Sequence, residues 1–247
     1  MSSFEHPIVH ETALSKSMVF SDIDIQSRMS VVRPNELQFE YTRLMMGAWL
    51  FQSQPRRVLM VGLGGGSLAK FCYQHFPQTH ITVLEINPHV IALRQQFLIP
   101  DDDARFEVVQ VDAAHFMAQT EQAFDLVLVD GFDQNGMPEP LCSPQFYANC
   151  RRVLTSGGVA VFNLHRFHAC RDLYVDRIES AFEGMLWVVN APSSTNCVVF
   201  AMKDGKPEKN WTFNKQKPMS MSEEAWSQIS ASVARVYLAT QEKKAQG

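Results

Sequence analysis

Four acidic residues stand where chemistry could be done: Glu85, Asp112, Asp130 and Asp133. Glu85 ends the run His80-Ile-Thr-Val-Leu, Asp112 follows Phe106 to Val111, and Asp130 ends Phe124-Asp-Leu-Val-Leu-Val. In an open α/β sheet, ligands lie at the carboxyl ends of the strands, so acids at these three points would face one site. Glu85, roughly 20 residues beyond a glycine cluster, suits a pair of ribose hydroxyls, because a carboxylate has lone pairs for both; a plain surface acid is the alternative. Asp112 could accept from an exocyclic adenine amine or cap the helix that starts at Ala113, and one residue could do both. Asp130 and Asp133 lie in Val-Asp130-Gly-Phe-Asp133-Gln-Asn-Gly-Met-Pro138. Two acids there could bind a cationic amine or take its proton, which an amine must lose before it attacks as a nucleophile. Asp133 also fits ordinary turn chemistry.

The glycine cluster that these acids would surround is Arg57-Val-Leu-Met-Val-Gly-Leu-Gly-Gly-Gly-Ser67. A short apolar run ends at Gly62, Gly64, Gly65 and Gly66, and a helical pattern (Leu68, Phe71, Cys72, Phe76) follows. Strand, glycine turn and helix form a device for holding a nucleotide or nucleoside, since the backbone can approach the ligand and the helix N-terminus offers free N–H groups. The spacing is G-x-G-G-G rather than the full dinucleotide fingerprint, so the loop gains its meaning from the acids.

The elements that must position these residues alternate. Strands are expected at 57–61, 80–85, 106–111, 124–130 and 159–163, with helices at about 67–76, from Asn87-Pro88 through Phe97, at 113–119, at 144–154 and at about 168–182. Ser156-Gly157-Gly158 should turn the fourth of these helices into the fifth strand. Closing strands at 185–190 and 197–202, joined by an Ala191-Pro192-Ser-Ser turn, should form an antiparallel hairpin at the sheet edge. The fold class is therefore α/β, a doubly wound and mostly parallel sheet. Short strands at 17–20 and 28–32 form a small β element ahead of it, and a helix spans 37–51. The expected division is residues 1–53, a nucleoside-binding unit at 54–203, and a polar linker with a final amphipathic helix at 204–247. That helix has Ser220-x-x-Glu223 as a capping box and buries Trp226, Ile229, Val233 and Val236 on the body or on a second subunit.

Composition excludes several classes. A net charge of −4 gives no reason to expect nucleic acid as partner. No apolar run is long enough to span a membrane, and the first residues do not read as a signal peptide. The five cysteines form no C-x-x-C pair, which suggests reduced thiols in a cytoplasmic protein. His115, His165 and His168 make no metal pattern, so no metal is expected, and His165 reads as a structural histidine. Neither a G-x-S-x-G elbow nor a Walker A loop is present.

With these residues in view, the chain resembles the spermidine/spermine synthase (polyamine aminopropyltransferase) family from about Gln26 to Lys203. The marks are Val-Leu-Met-Val-Gly-Leu-Gly-Gly-Gly, Glu85-Ile86-Asn87, Val111-Asp112-Ala113, Asp130-x-x-Asp133-x-x-Gly136-x-Pro138, Ser143-Pro-Gln-Phe-Tyr147 and Leu154-x-x-Gly-Gly158. The resemblance implies a class I methyltransferase-like (Rossmann-like) sheet behind a small N-terminal β domain, a homodimer, and aminopropyl transfer from decarboxylated S-adenosylmethionine to a small-molecule amine, releasing methylthioadenosine. It assigns the adenosyl group to Gly62, Gly64, Gly65, Gly66, Glu85, Ile86, Asp112, Ala113 and Gln26. Amine deprotonation falls to Asp130, acceptor anchoring to Asp133, and a place near the acceptor to Tyr41 in Phe39-Glu-Tyr41. This chain departs from the family pattern at Gly65, where an acid would hold the cationic end of the donor, and at Thr42, Arg43, Gln134 and Ala191. Two rival readings follow: an S-adenosylmethionine-dependent methyltransferase releasing S-adenosylhomocysteine, permitted by the uncharged Gly65, and a non-catalytic adenosyl-binding protein.

Overall fold

The central strands are apolar on both faces, which in water can be stable only between two layers of helices. In the computed structural model, which describes residues 4–20, 25–132, 136–205, 213 and 216–246, that is their setting. Three strands, β1 (Ile8–Glu11), β2 (Ser15–Val19) and β3 (Ile25–Ser30), form an antiparallel meander. It leads into helix α1 (Glu40–Met45), a 3-10 turn (Met46–Leu50) and the main sheet. The main-sheet strands are β4 (Arg57–Val61), β5 (His80–Glu85), β6 (Phe106–Gln110), β7 (Phe124–Val129), β8 (Leu154–His165), β9 (Leu186–Asn190) and β10 (Asn196–Met202). Between them run α2 (Ser67–His75), α3 (Pro88–Ile91), α4 (Ala113–Gln119), α5 (Pro144–Val153) and α6 (Arg171–Ala181), and α7 (Glu223–Gln246) closes the chain.

The sheet order is β6-β5-β4-β7-β8-β10-β9, parallel except for β10, which pairs antiparallel with both β8 and β9. This is the doubly wound sheet with an edge hairpin that the sequence pattern implies. The chain winds outward from β4 to β6, then returns to lay β7 on the other side of β4. The switch point therefore lies between β4 and β7, where a ligand crevice opens. Register makes the crevice useful. Val61 pairs with Leu84 on one side and Val129 on the other, so Gly62, Glu85 and Asp130 emerge side by side at one end of the sheet.

One core layer joins α2 and α7 to one face through Val58, Met60, Phe71, Trp226, Ile229, Val233 and Val236. The other joins α4, α5 and α6 to the opposite face through Val127, Met117, Phe146, Tyr147 and Ile178. The amphipathic face of α7 thus packs on the body of its own chain. Gly47 allows that close crossing, since a Cβ there would sit 2.7 Å from Val236 Cγ2.

Several expectations need correcting. The strand β1 was not foreseen, and the 28–32 strand lies instead at Ile25–Ser30. The 37–51 helix splits into α1 and the 3-10 turn. The helix after Asn87 lasts one turn, although its capping is as expected, with Asn87 accepting from His89 N at 2.9 Å. A looser run then leads to Leu98, whose φ of +53° ends helical geometry. Strand β8 begins directly at Leu154, with no separate turn at Ser156-Gly157-Gly158; an irregularity opposite Asp125 absorbs Gly157 at φ +75°. The cap of α7 is Ser222, not Ser220: its Oγ accepts from Ala225 N at 3.1 Å.

Candidate active site

The glycine loop works through contacts that a side chain would block. Gly62 has φ +93°, and a Cβ on it would lie 2.4 Å from the Asp130 carbonyl oxygen. Glycine therefore lets the ends of β4 and β7 meet without a gap. Gly64 and Gly66 are also left-handed, with φ of +49° and +70°. Gly65 is different. Its N–H donates to Ser27 Oγ at 2.8 Å, and a Cβ would meet Phe97 Cδ1 at 2.9 Å and Ser27 Cβ at 3.0 Å. Ile99 closes over Gly66 in the same way, 2.4 Å from a would-be Cβ. Behind this packing the buried Lys70 donates to the Phe97 carbonyl at 2.7 Å, and burial lowers its pKa to about 8. The segment around Phe97 thus fills the space that an acidic side chain at position 65 would need.

A cleft of about 770 Å³ opens over these strand ends. Gln26, Tyr41, Gly62, Gly64, Glu85, Ile86, Asp112, Ala113 and Asp130 line it; Gly65 and Gly66 do not. Asp133 lies outside the described residues. Glu85 is nearly buried, and both of its oxygens take backbone N–H groups: Oε2 from Leu63 at 2.9 Å and Oε1 from Asn87 at 2.8 Å. Burial raises its pKa while these N–H groups hold it down. The backbone N–H groups of Ile86 and Gly64 act on the same carboxylate and also lower its pKa. Asp112 fulfils its capping reading. Oδ1 accepts from Ala114 N at 2.7 Å and His115 N at 3.1 Å, capping α4, while the side chain still lines the cleft.

Asp130 is the centre of a small network. Asn163 Nδ2 donates to its Oδ1 at 2.8 Å, and the Tyr41 hydroxyl acts on the same carboxylate. Burial pushes the Asp130 pKa up, and both groups pull against that shift. Tyr41 in turn is held well above its ordinary value, first by burial and then by the Asp130 charge. A carboxylate so placed is a base with raised proton affinity at the wall of a cleft. Asn163, overlooked as a functional residue, was detectable: it is the polar end of the apolar run Val159 to Phe162, and it is 2% exposed.

The charge of the cleft is one-sided. Among the described residues that line it, Glu5, Glu40, Glu85, Asp112 and Asp130 are acidic and none is Lys or Arg. His165, expected to be structural, lines the cleft and packs edge-on against Phe132, ring centroids 4.8 Å apart. Among the described residues there is no group of His, Cys, Asp and Glu able to hold a metal ion, and no helix long and apolar enough to cross a membrane. The five cysteines are free thiols.

Comparison with known proteins bears on the family and the fold. The family model described as the spermine/spermidine synthase domain matches residues 38–210. A polyamine aminopropyltransferase of Neisseria meningitidis is 33% identical over 211 residues, covering 85% of this chain and 80% of the relative. Among solved structures, a probable spermidine synthase from Corynebacterium glutamicum aligns with a TM-score of 0.68 at 20% identity, covering 90% of this chain and 81% of that one. Human methyltransferase-like protein 13, in complex with SAH, aligns with a TM-score of 0.63 at 21% identity, covering 81% of this chain and 93% of the other. The two structural likenesses speak for the fold.

Proposed function

The chain belongs to the spermine/spermidine synthase family, and from that premise we propose that it moves an aminopropyl group from decarboxylated S-adenosylmethionine to a small amine. The observation that carries this reading is the cleft's charge: five acids and no Lys or Arg among its described lining residues. Both substrates of the reaction are cations, one a sulfonium with a terminal ammonium and the other a protonated amine. A donor that kept its carboxylate would bring an anion into a field made by other anions, with no basic side chain to receive it. That argument weighs against methyl transfer from S-adenosylmethionine, even though Gly65 supplies no acid of its own.

In this reading the glycine loop, Glu85, Ile86, Asp112, Ala113 and Gln26 hold the adenosyl group, with Glu85 on the ribose and the free side of Asp112 near the adenine. Asp130 takes a proton from the acceptor ammonium, with Tyr41 steadying its carboxylate and Asp133 anchoring the acceptor. The freed nitrogen lone pair attacks the carbon next to sulfur. The C–S bond breaks, its electron pair stays on sulfur, and methylthioadenosine leaves as a neutral thioether. The proton stays on Asp130 until water removes it. Residues 54–203 would act as the nucleoside-binding unit, with residues 1–53 supplying Tyr41 and residues 204–247 bracing that side. A cytoplasmic homodimer is the setting that the family resemblance implies.

Isothermal titration calorimetry with decarboxylated S-adenosylmethionine and S-adenosylmethionine tests the donor assignment. The decarboxylated compound should bind at least about tenfold tighter, since opposing like charges across a site costs more than 1 kcal/mol. Equal affinity, or a preference for S-adenosylmethionine, would count against it.

A further inference from the structure

The contacts of Asp130 continue beyond the residues that touch a substrate. Asn163 Nδ2 donates to Asp130 Oδ1 at 2.8 Å, and Asn163 Oδ1 accepts from Asn196 Nδ2 at 3.0 Å. The antiparallel register of β8 and β10 builds this chain of contacts, pairing Asn163 with Val198 and His165 with Asn196. Asn196 therefore lies diagonally across the ladder from Asn163, within reach of its side chain. Asn196 sits at the end of the turn that closes the cleft, and Ser193 of that turn donates its backbone N–H to Glu40 Oε2 at 2.7 Å.

We propose that Asn163 is a positioning residue that aims the Asp130 carboxylate into the cleft, and that Asn196, bonded to the other end of the Asn163 amide, holds Asn163 in place. This rests on the reading of Asp130 as the base for amine deprotonation. An amide has a donor end and an acceptor end, and only one orientation is useful here. If Asn163 turned over, its carbonyl oxygen would face the carboxylate and its NH2 would face Asn196. The contact with Asp130 would change from attraction to repulsion, whichever end of its own amide Asn196 presents. Because the Asp130 carboxylate can only accept, it selects the orientation in which Asn163 donates to it, and the Asn163 Oδ1 is then the end that accepts from Asn196. The Asp130 anion then has a fixed donor in Asn163 from β8, with the Tyr41 hydroxyl from α1 also acting on it. Tyr41 is the titratable group touching it among the described residues, while Glu85 on β5 and His165 on β8 line the same cleft.

The test compares Asn163→Leu, which is close in volume and has no polar atoms, with Asn196→Ala, which leaves Asn163 but removes its second hydrogen-bond partner. The readouts are the pH profile of kcat/KM, the KM for donor, and the Asp130 titration followed by carboxylate 13C NMR. Asn163→Leu should lower kcat roughly 10- to 100-fold with donor KM unchanged, as loss of a hydrogen bond to a charged group requires. The acid limb of its profile, and the NMR midpoint of Asp130, should both move to higher pH. Asn196→Ala should do the same to a smaller degree, and the double variant should be no worse than Asn163→Leu, because the two act in series. Lower activity with an unmoved limb and midpoint would overturn the proposal, as would fully additive effects. If Asn163→Leu does not fold, an unshifted Asp130 midpoint in Asn196→Ala is sufficient to overturn it. A wild-type protein that turns over no amine would reject the functional reading; the NMR midpoints would still decide the positioning claim.

Discussion

Gly62→Ala should damage turnover more than stability, and the structure says by how much. A methyl group at this position would lie 2.4 Å from the Asp130 carbonyl oxygen and 3.0 Å from its carbonyl carbon. Carbon and oxygen in close but relaxed contact stand about 3.3 Å apart, so the two strand ends must separate by about 1 Å. The atoms on the far side are backbone, with no side chain that could swing away. Asp130 moves with its backbone, and a displacement of about 1 Å at reacting groups can cost on the order of a hundredfold in rate. The φ of +93° adds strain of about 1–3 kcal/mol. Gly157→Ala separates the two effects: it carries a similar strain at φ +75°, yet a Cβ there meets nothing within 4 Å. Steady-state kinetics at saturating substrates, with thermal melts in parallel, should show both variants less stable and only Gly62→Ala about a hundredfold slower. Wild-type kcat in Gly62→Ala would refute the claim that this glycine exists to seat β4 against the base.

Two pH-linked predictions follow from buried charge. Burial raises the Asp130 pKa, so the folded protein holds that proton more tightly than the unfolded chain; the anion therefore costs stability above the folded pKa, and the cost fades as pH falls through it. Asp130→Asn should raise Tm at pH 7.5, because the amide carries no charge into the buried site. The gain should vanish near pH 4, while kcat falls by about 10²–10⁴; a lower Tm at pH 7.5 would contradict this. Lys70 is the opposite case: its pKa is lowered to about 8, so above that pH the folded state has lost a proton that the unfolded chain keeps up to about 10.4. Chemical denaturation should show wild-type stability gaining on Lys70→Met as pH rises from 8 to 10, and a flat difference would exclude a strained buried ammonium there.

The sequence was most readable where burial leaves few choices. The strands at Arg57–Val61 and His80–Glu85 and the helix at Ala113–Gln119 fall on their expected bounds, because strands covered on both faces must be apolar throughout and the helix start is marked by a capping acid. Glu85, Asp112 and Asp130 followed from those strand ends. What stayed hidden depends on partners distant in sequence. The packing of Phe97 and Ile99 over Gly65 and Gly66 comes from a segment that only looks helical, and no local pattern places it against the loop. The contact of Asn196 with Asn163 depends on the register between β8 and β10, which neither strand encodes alone. Ser220 and Ser222 offered two candidate caps in one stretch, and the pattern with Glu223 three residues on picked the wrong one. The net charge of −4 gave only a faint hint of a cleft whose described charged lining is wholly acidic.

The most direct test of the central claim is product analysis after incubating the protein with an amine and either decarboxylated S-adenosylmethionine or S-adenosylmethionine. The account predicts methylthioadenosine and aminopropylated amine in equal amounts from the decarboxylated donor, with the yield collapsing in Asp130→Asn. Formation of S-adenosylhomocysteine and methylated amine from S-adenosylmethionine, or methylthioadenosine release undiminished in Asp130→Asn, would contradict it.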